Sequence, residues 1–126
     1  MVTRNIALNE LPMRGISINT LSGANAAIAV VPSDSGILFV NKYTTETTYT
    51  LPPVAEGAGK AFWFYNGQGS AAIKVKAQSA ILVGRDSVTG AVLTSASNVS
   101  DSCVVFGDGT NYYAIILDGS WTTGSS

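Results

Sequence analysis

No stretch of ten residues in this chain carries apolar side chains at helical spacing. From Ala26 onward, apolar runs of four to eight residues recur instead, each closed by a turn signal. Runs of that length, bounded by Gly, Pro, Asn and Asp and rich in β-branched and aromatic residues, read as strands. The first is 26–31, closed by Pro32-Ser33-Asp34-Ser35-Gly36, and the second is 37–40. The Thr-rich run 44–51 stops at Pro52-Pro53, because proline has no N–H to give a ladder. Residues 61–65 end at Asn66-Gly67, a strong turn dipeptide. In 71–77, Ile73 and Val75 alternate with Lys74 and Lys76, the pattern of a half-buried strand. Runs 81–83 and 88–93 follow, and then 102–106 and 112–117 flank Gly107-Asp108-Gly109-Thr110-Asn111 as a β-hairpin. Short strands at this spacing predict an all-β domain: an antiparallel β-sandwich, jelly-roll-like, or a small barrel. No internal repeat stands out.

With 126 residues, the chain is one domain. Size scaling gives roughly 6,300 Å² of folded surface against about 19,000 Å² for the extended chain, enough for a self-standing core. The expected boundaries are an extended N-terminal arm over 1–24, a β-sandwich domain over 25–121 and a flexible tail over 122–126. Ile6, Leu8, Leu11 and Met13 are isolated apolar residues of the first segment. Two readings of that segment stand side by side. It is an arm that docks on a neighbour, or a first strand and loop packed on its own domain.

The charge pattern excludes several functions. Net charge is −1, and the basic residues Arg4, Arg14, Lys42, Lys60, Lys74, Lys76 and Arg85 are scattered. Nucleic-acid binders need a concentrated cationic footprint, so no nucleic-acid partner is expected. The chain has no histidine, which removes Ser-His-Asp and Cys-His catalysis and the commonest zinc ligand. Cys103 stands alone in an apolar run and reads as a small core residue. The Gly107–Asn111 connection lacks the further acidic ligands of a calcium loop. Gly57-Ala58-Gly59-Lys60 lacks the spacing of a phosphate loop. No enzyme activity, cofactor or metal is therefore expected. Residues 15–33 are uncharged, but Asn19, Asn25 and Pro32 interrupt them, so no membrane span is expected either. No secretory signal is visible, and manufacture and use without secretion is the expectation.

Several runs are apolar on both alternating faces. Phe62 and Phe64 oppose Trp63 and Tyr65; Ile37 and Phe39 oppose Leu38 and Val40; Tyr113, Ile115 and Leu117 oppose Tyr112, Ala114 and Ile116. An exposed sheet has one wet face. Two apolar faces therefore predict association of copies, most simply cyclic. The alternative is that loops of the same subunit cover the rings.

The run SDSGILFVNKYTTETTYTLPPVAEGAGKAFWFYNG, followed downstream by VVFGDGTNYYAIILDGSW, resembles a β-domain of tailed-bacteriophage virion proteins. That domain occurs in small capsid decoration (cement) proteins and in tail-fibre proteins. The resemblance spans residues 33–121 and rests on turn and strand signals. It implies a homotrimer on the outside of the capsid, bridging subunits of the major capsid protein and stabilising the shell. The protein would be made in the host cytoplasm and reside in the virion. Under this reading residues 1–24 contact the shell, and Trp63, Tyr65, Tyr112 and Trp121 are buried interface anchors. The alternative is a tail-fibre or receptor-binding module whose aromatic rings stack on host glycans. A cellular carbohydrate-binding or pilus-like domain is disfavoured by the missing signal and disulfides.

Overall fold

In the computed structural model, which describes residues 13–20, 26–83 and 88–124, the chain coils before it pleats back on itself. Strands β1 (Gly15–Asn19), β3 (Ile37–Asn41) and β5 (Ala61–Asn66) lie side by side and parallel. Strands β2 (Ala26–Ala29), β4 (Thr47–Thr50) and the long β6 (Ile73–Val83) form a second parallel set. Successive strands thus alternate between two layers. Parallel partners lie 21 to 26 residues apart, from Ala26 with Thr47 to Thr47 with Ile73, so one turn of the coil takes that many residues.

The remaining strands pair antiparallel, apart from one parallel ladder between β9 and β6. β7 (Val88–Ser95) returns along β6, and β10 (Trp121–Gly124) lies on β7. β8 (Ser102–Gly107) adds to β5, and β9 (Tyr112–Asp118) pairs with β8 as the expected hairpin. The register of β6 shifts between Lys76 and Ile81. Its first half pairs with β4, and its second half runs parallel to β9. A bulge bends its strand, and here the bend carries β6 from one layer to the other. The result is two mixed sheets packed against each other, the expected all-β sandwich. We call β1-β3-β5-β8-β9 sheet A and β2-β4-β6-β7-β10 sheet B.

The antiparallel pairing expected throughout is corrected for the first six strands. Parallel neighbours need a long crossover, and here each crossover is a strand of the opposite sheet with its flanking turns. The absence of a repeat is corrected as well. The same unit recurs: a strand, a 3-10 turn containing or following proline (Pro32–Asp34, then Val54–Gly57), and a strand ending in asparagine. Side-chain identities drift between turns of the coil, which hid the period.

The core lies between the sheets. Phe39, Tyr49 and Phe64 meet with ring centroids 5.2 to 5.5 Å apart. Phe62, Leu51, Ile73, Val75, Ile81, Leu93, Val105 and Tyr112 surround them, all at most 2% exposed. Cys103 is also fully buried, as expected, and burial pushes its thiol pKa up, away from reactive thiolate.

One end of the sandwich is closed by polar residues. Asn19, Asn41 and Asn66 end β1, β3 and β5 in register, and all three are buried. Asn19 Nδ2 donates to Asn41 Oδ1 at 2.7 Å, and Thr47 Oγ1 donates to the same oxygen at 3.1 Å. Asn66 Nδ2 donates to the Ala71 carbonyl at 3.0 Å, and Gln68 Nε2 donates to Asn66 Oδ1 at 3.0 Å. Lys42 N donates to the Asn19 carbonyl and Gly67 N to the Asn41 carbonyl, which steps the backbone from one turn to the next. Buried amides are tolerated because each is bonded.

Two boundaries move. Residues 15–19, expected in the arm, are a strand of sheet A, and Arg14 already joins the fold through its N–H to the Gly36 carbonyl. Its guanidinium also donates to the Ser33 and Ser35 carbonyls. Residues 122–124, expected in the tail, belong to β10. The arm positions Ile6, Leu8 and Leu11 lie outside the described residues.

Candidate self-association face

The outward side of sheet A is apolar across its width. Strand alternation turns Phe39, Phe64, Cys103, Val105 and Ala114 inward, so their neighbours point out. Register then assembles a row: Ile16 beside Leu38, Leu38 beside Trp63, Trp63 beside Val104, Val104 beside Ile115. A second row runs Ile18, Val40, Tyr65, Ser102. Phe106 and Tyr113, paired across β8 and β9, stack with centroids 5.4 Å apart and extend the patch. Five strands at about 4.8 Å spacing make this face roughly 20 Å wide.

Exposure is largest at the margins. Ile16 is 64% and Ile18 61% exposed on β1; Ile115 is 52% and Leu117 55% exposed on β9. Between them Leu38, Val40, Trp63, Tyr65 and Val104 are half-buried, because in-register neighbours shield each other's flanks. The first row carries no charged residue, whereas the second continues from Ser102 to the exposed Asp118 of β9. Contiguous apolar patches of this kind mark interaction surfaces.

The outward side of sheet B differs. Its rows are Ala27, Thr48, Lys74, Thr94, Thr122 and Ala29, Thr50, Lys76, Val92, Gly124. Lys74 pairs with Glu46 at 3.3 Å. A shallow groove of about 250 Å³ runs between the lysines and β10. This face is dressed for water, whereas the face of sheet A is not.

The structure sorts the candidate interface residues. Trp63 and Tyr65 lie together on the apolar face of sheet A. Trp121 does not join them: it packs against its own core from β10, and its Nε1 donates to the Asp118 carbonyl at 3.1 Å. Met13 is half-buried beside Arg14, just before β1. Tyr112 is corrected outright. It is 0% exposed, and its hydroxyl donates to the Pro52 carbonyl at 2.7 Å, so it anchors the subunit's own two layers and reaches no neighbour. Ile16, Ile18, Leu38, Val40, Val104, Phe106, Tyr113, Ile115 and Leu117 were missed as face residues. The signal was present in the two-sided runs, but local sequence does not say which side turns out.

The hairpin loop is self-contained. Asp108 Oδ1 accepts from Thr110 N at 2.8 Å and Asn111 N at 2.7 Å, and Oδ2 accepts from the Tyr113 hydroxyl at 2.7 Å. The Asn111 amide chiefly, then the Tyr113 hydroxyl, hold this carboxyl below the usual carboxylate range. Its oxygens are thus engaged in a turn. Among the described residues no group of three or more His, Cys, Asp or Glu is placed to hold a metal.

No protein-family model matches the chain, and no curated protein is significantly similar to it in sequence. Among the described residues no helix is long and apolar enough to cross a membrane.

Proposed function

We propose that this is a structural, non-enzymatic virion protein that self-associates as a trimer and decorates the outside of a phage capsid. The observation that carries the self-association is the apolar face of sheet A, charged only at its Asp118 margin, set against the Thr- and Lys-lined face of sheet B. Water around Ile16, Ile18, Trp63, Ile115 and their neighbours is released when copies meet, at roughly 25 cal/mol per Å² of apolar surface. Aromatic anchors such as Trp63 and Tyr65 sit near the middle of the patch, where interface energy concentrates. The capsid role follows from the resemblance. A trimer that grips several shell subunits at once holds strongly even if each contact is weak.

Light scattering on the purified chain at micromolar concentration tests the first part. A mass near three subunits is expected, and Trp63→Glu with Ile115→Glu reduces it to one. A wild-type monomer overturns the reading. Add-back of the trimer to shells lacking the protein tests the second part. Restored occupancy and raised heat resistance are expected. Failure to bind shells, together with binding of glycans by Trp63 and Tyr65, moves the protein to the tail-fibre reading.

A further inference from the structure

We propose that Asn66-Gly67 is a latent self-modification site. The folded sandwich holds it unreactive, and a chain that opens converts Asn66 to aspartate or isoaspartate and can no longer rebuild the fold. The site lies within one subunit and is independent of self-association.

An asparagine followed by glycine is open to attack by its own backbone. The Gly67 nitrogen gives its proton to water and bonds to Asn66 Cγ. Nδ2 takes a proton back and leaves as ammonia, and the product is a cyclic imide. Water then opens either ring C–N bond. One opening leaves aspartate, and the other leaves isoaspartate, with the main chain routed through the side chain. No other reactant is needed. Glycine matters because a Cβ on the following residue crowds the attacking nitrogen. Asn66 is the only asparagine in the sequence that glycine follows; its ladder partners Asn19 and Asn41 precede Thr20 and Lys42.

The fold engages every group the reaction needs. Gly67 N donates to the Asn41 carbonyl at 2.8 Å, which holds the proton on the nucleophile. Asn66 Nδ2 donates to the Ala71 carbonyl and Oδ1 accepts from Gln68 Nε2, both at 3.0 Å, so the amide is pinned at both ends. Gln68 is locked in turn, since its Oε1 accepts from Ser70 N at 2.6 Å and Ala71 N at 3.2 Å. The Asn66 main chain is tied as well: its N donates to the Asp101 carbonyl at 2.8 Å, and its carbonyl accepts from Ser100 N at 2.9 Å. Asn-Gly is ordinarily a loop dipeptide, but here the asparagine closes β5 and is 0% exposed, out of reach of water.

Neither product fits this position. Aspartate replaces the Nδ2 donor with an oxygen that faces the Ala71 carbonyl, and it carries a charge into a fully buried place. Isoaspartate inserts an extra backbone carbon where Asn66 pairs with Asn41, and it draws Gly67 N away from the Asn41 carbonyl. Chemical change in the open chain thus makes unfolding irreversible.

Ageing folded and guanidinium-unfolded protein side by side in one mildly alkaline buffer tests this, with peptide mapping to read conversion at residue 66. The folded protein is expected to convert about a thousandfold or more slowly, because reaction waits on the rare open chain. Equal rates in the two states overturn the proposal, as does lack of conversion in both. Gly67→Ala, compared in denaturant where its fold is immaterial, is expected to slow the reaction several-fold; an unchanged rate overturns the chemistry. On dilution, freshly unfolded chains are expected to refold and converted chains to stay unfolded. Asn66→Asp installs the aspartate product from the start and is expected to fold poorly or to lose much of its denaturation midpoint. Converted chains that regain the wild-type midpoint, or an Asn66→Asp variant that matches it, overturn the one-way step.

Discussion

The Tyr112 hydroxyl donates to the Pro52 carbonyl at 2.7 Å, tying β9 of sheet A to the turn that follows β4 of sheet B. The bond is buried, and Pro52 itself has no N–H to donate. Removing the donor leaves a buried carbonyl unsatisfied, which costs about 1–3 kcal/mol. Tyr112→Phe is therefore expected to lower the urea midpoint measurably. Tyr49 is the control. Its hydroxyl is buried with no hydrogen-bond partner, so Tyr49→Phe relieves a desolvation cost and is expected to be neutral or stabilising. Equal losses in the two variants would contradict this assignment.

Asn41 is the hinge of the asparagine ladder. Its Oδ1 accepts from Asn19 and Thr47, and its Nδ2 donates to the Tyr43 carbonyl at 3.1 Å. Asn41→Ala strands several buried partners at once and is expected to destabilise by about 2–4 kcal/mol. Equilibrium denaturation reads the loss, and amide exchange is expected to quicken first at the ends of β1 and β3.

Gly57 lies under the Tyr112 ring, where an added Cβ meets the ring carbons and the hydroxyl. Gly57→Ala forces that ring or the 3-10 turn to move, and overpacking of this kind costs about 1–3 kcal/mol. Gly124→Ala meets nothing within 4 Å and is expected to stay within about 0.5 kcal/mol of wild type. Thermal unfolding of the pair checks the contrast.

Asp108 supplies a pH-dependent contribution of known sign. Its folded pKa is depressed, so the stability it adds is present above the unfolded carboxylate pKa of about 3.9 and is lost as pH falls through the folded value. Carboxyl NMR titration is expected to place Asp108 below an ordinary aspartate. Tyr113→Phe raises that value by removing one donor, but not to the ordinary range, because the Asn111 amide remains. Asp108→Asn flattens the acid limb of the stability profile. The group is fully solvated, so the effect is small.

The strands were legible because their cause is local. Pro52-Pro53 stops the chain just past β4, β5 closes on Asn66 with Gly67 after it, and the lysines of β6 alternate with Ile73 and Val75, all within a few residues. The division of 71–77 and 81–83 into two runs was not the final answer. β6 continues through both, because a bulge lets one strand serve two sheets. Trp63 and Tyr65 were legible as outward rings. Tyr112 was not distinguishable from Tyr113, yet one is in the core and the other on the surface.

By itself the sequence determined an all-β chain, the places where its strands stop, and an excess of apolar side chains over one hidden face. Those follow from backbone chemistry and two-residue alternation. Only the tertiary structure decided that the first strands coil in parallel, and which alternating set turns inward. Partner strands lie more than twenty residues apart, and when both sides of a strand are apolar, burial is settled by what packs across the sandwich.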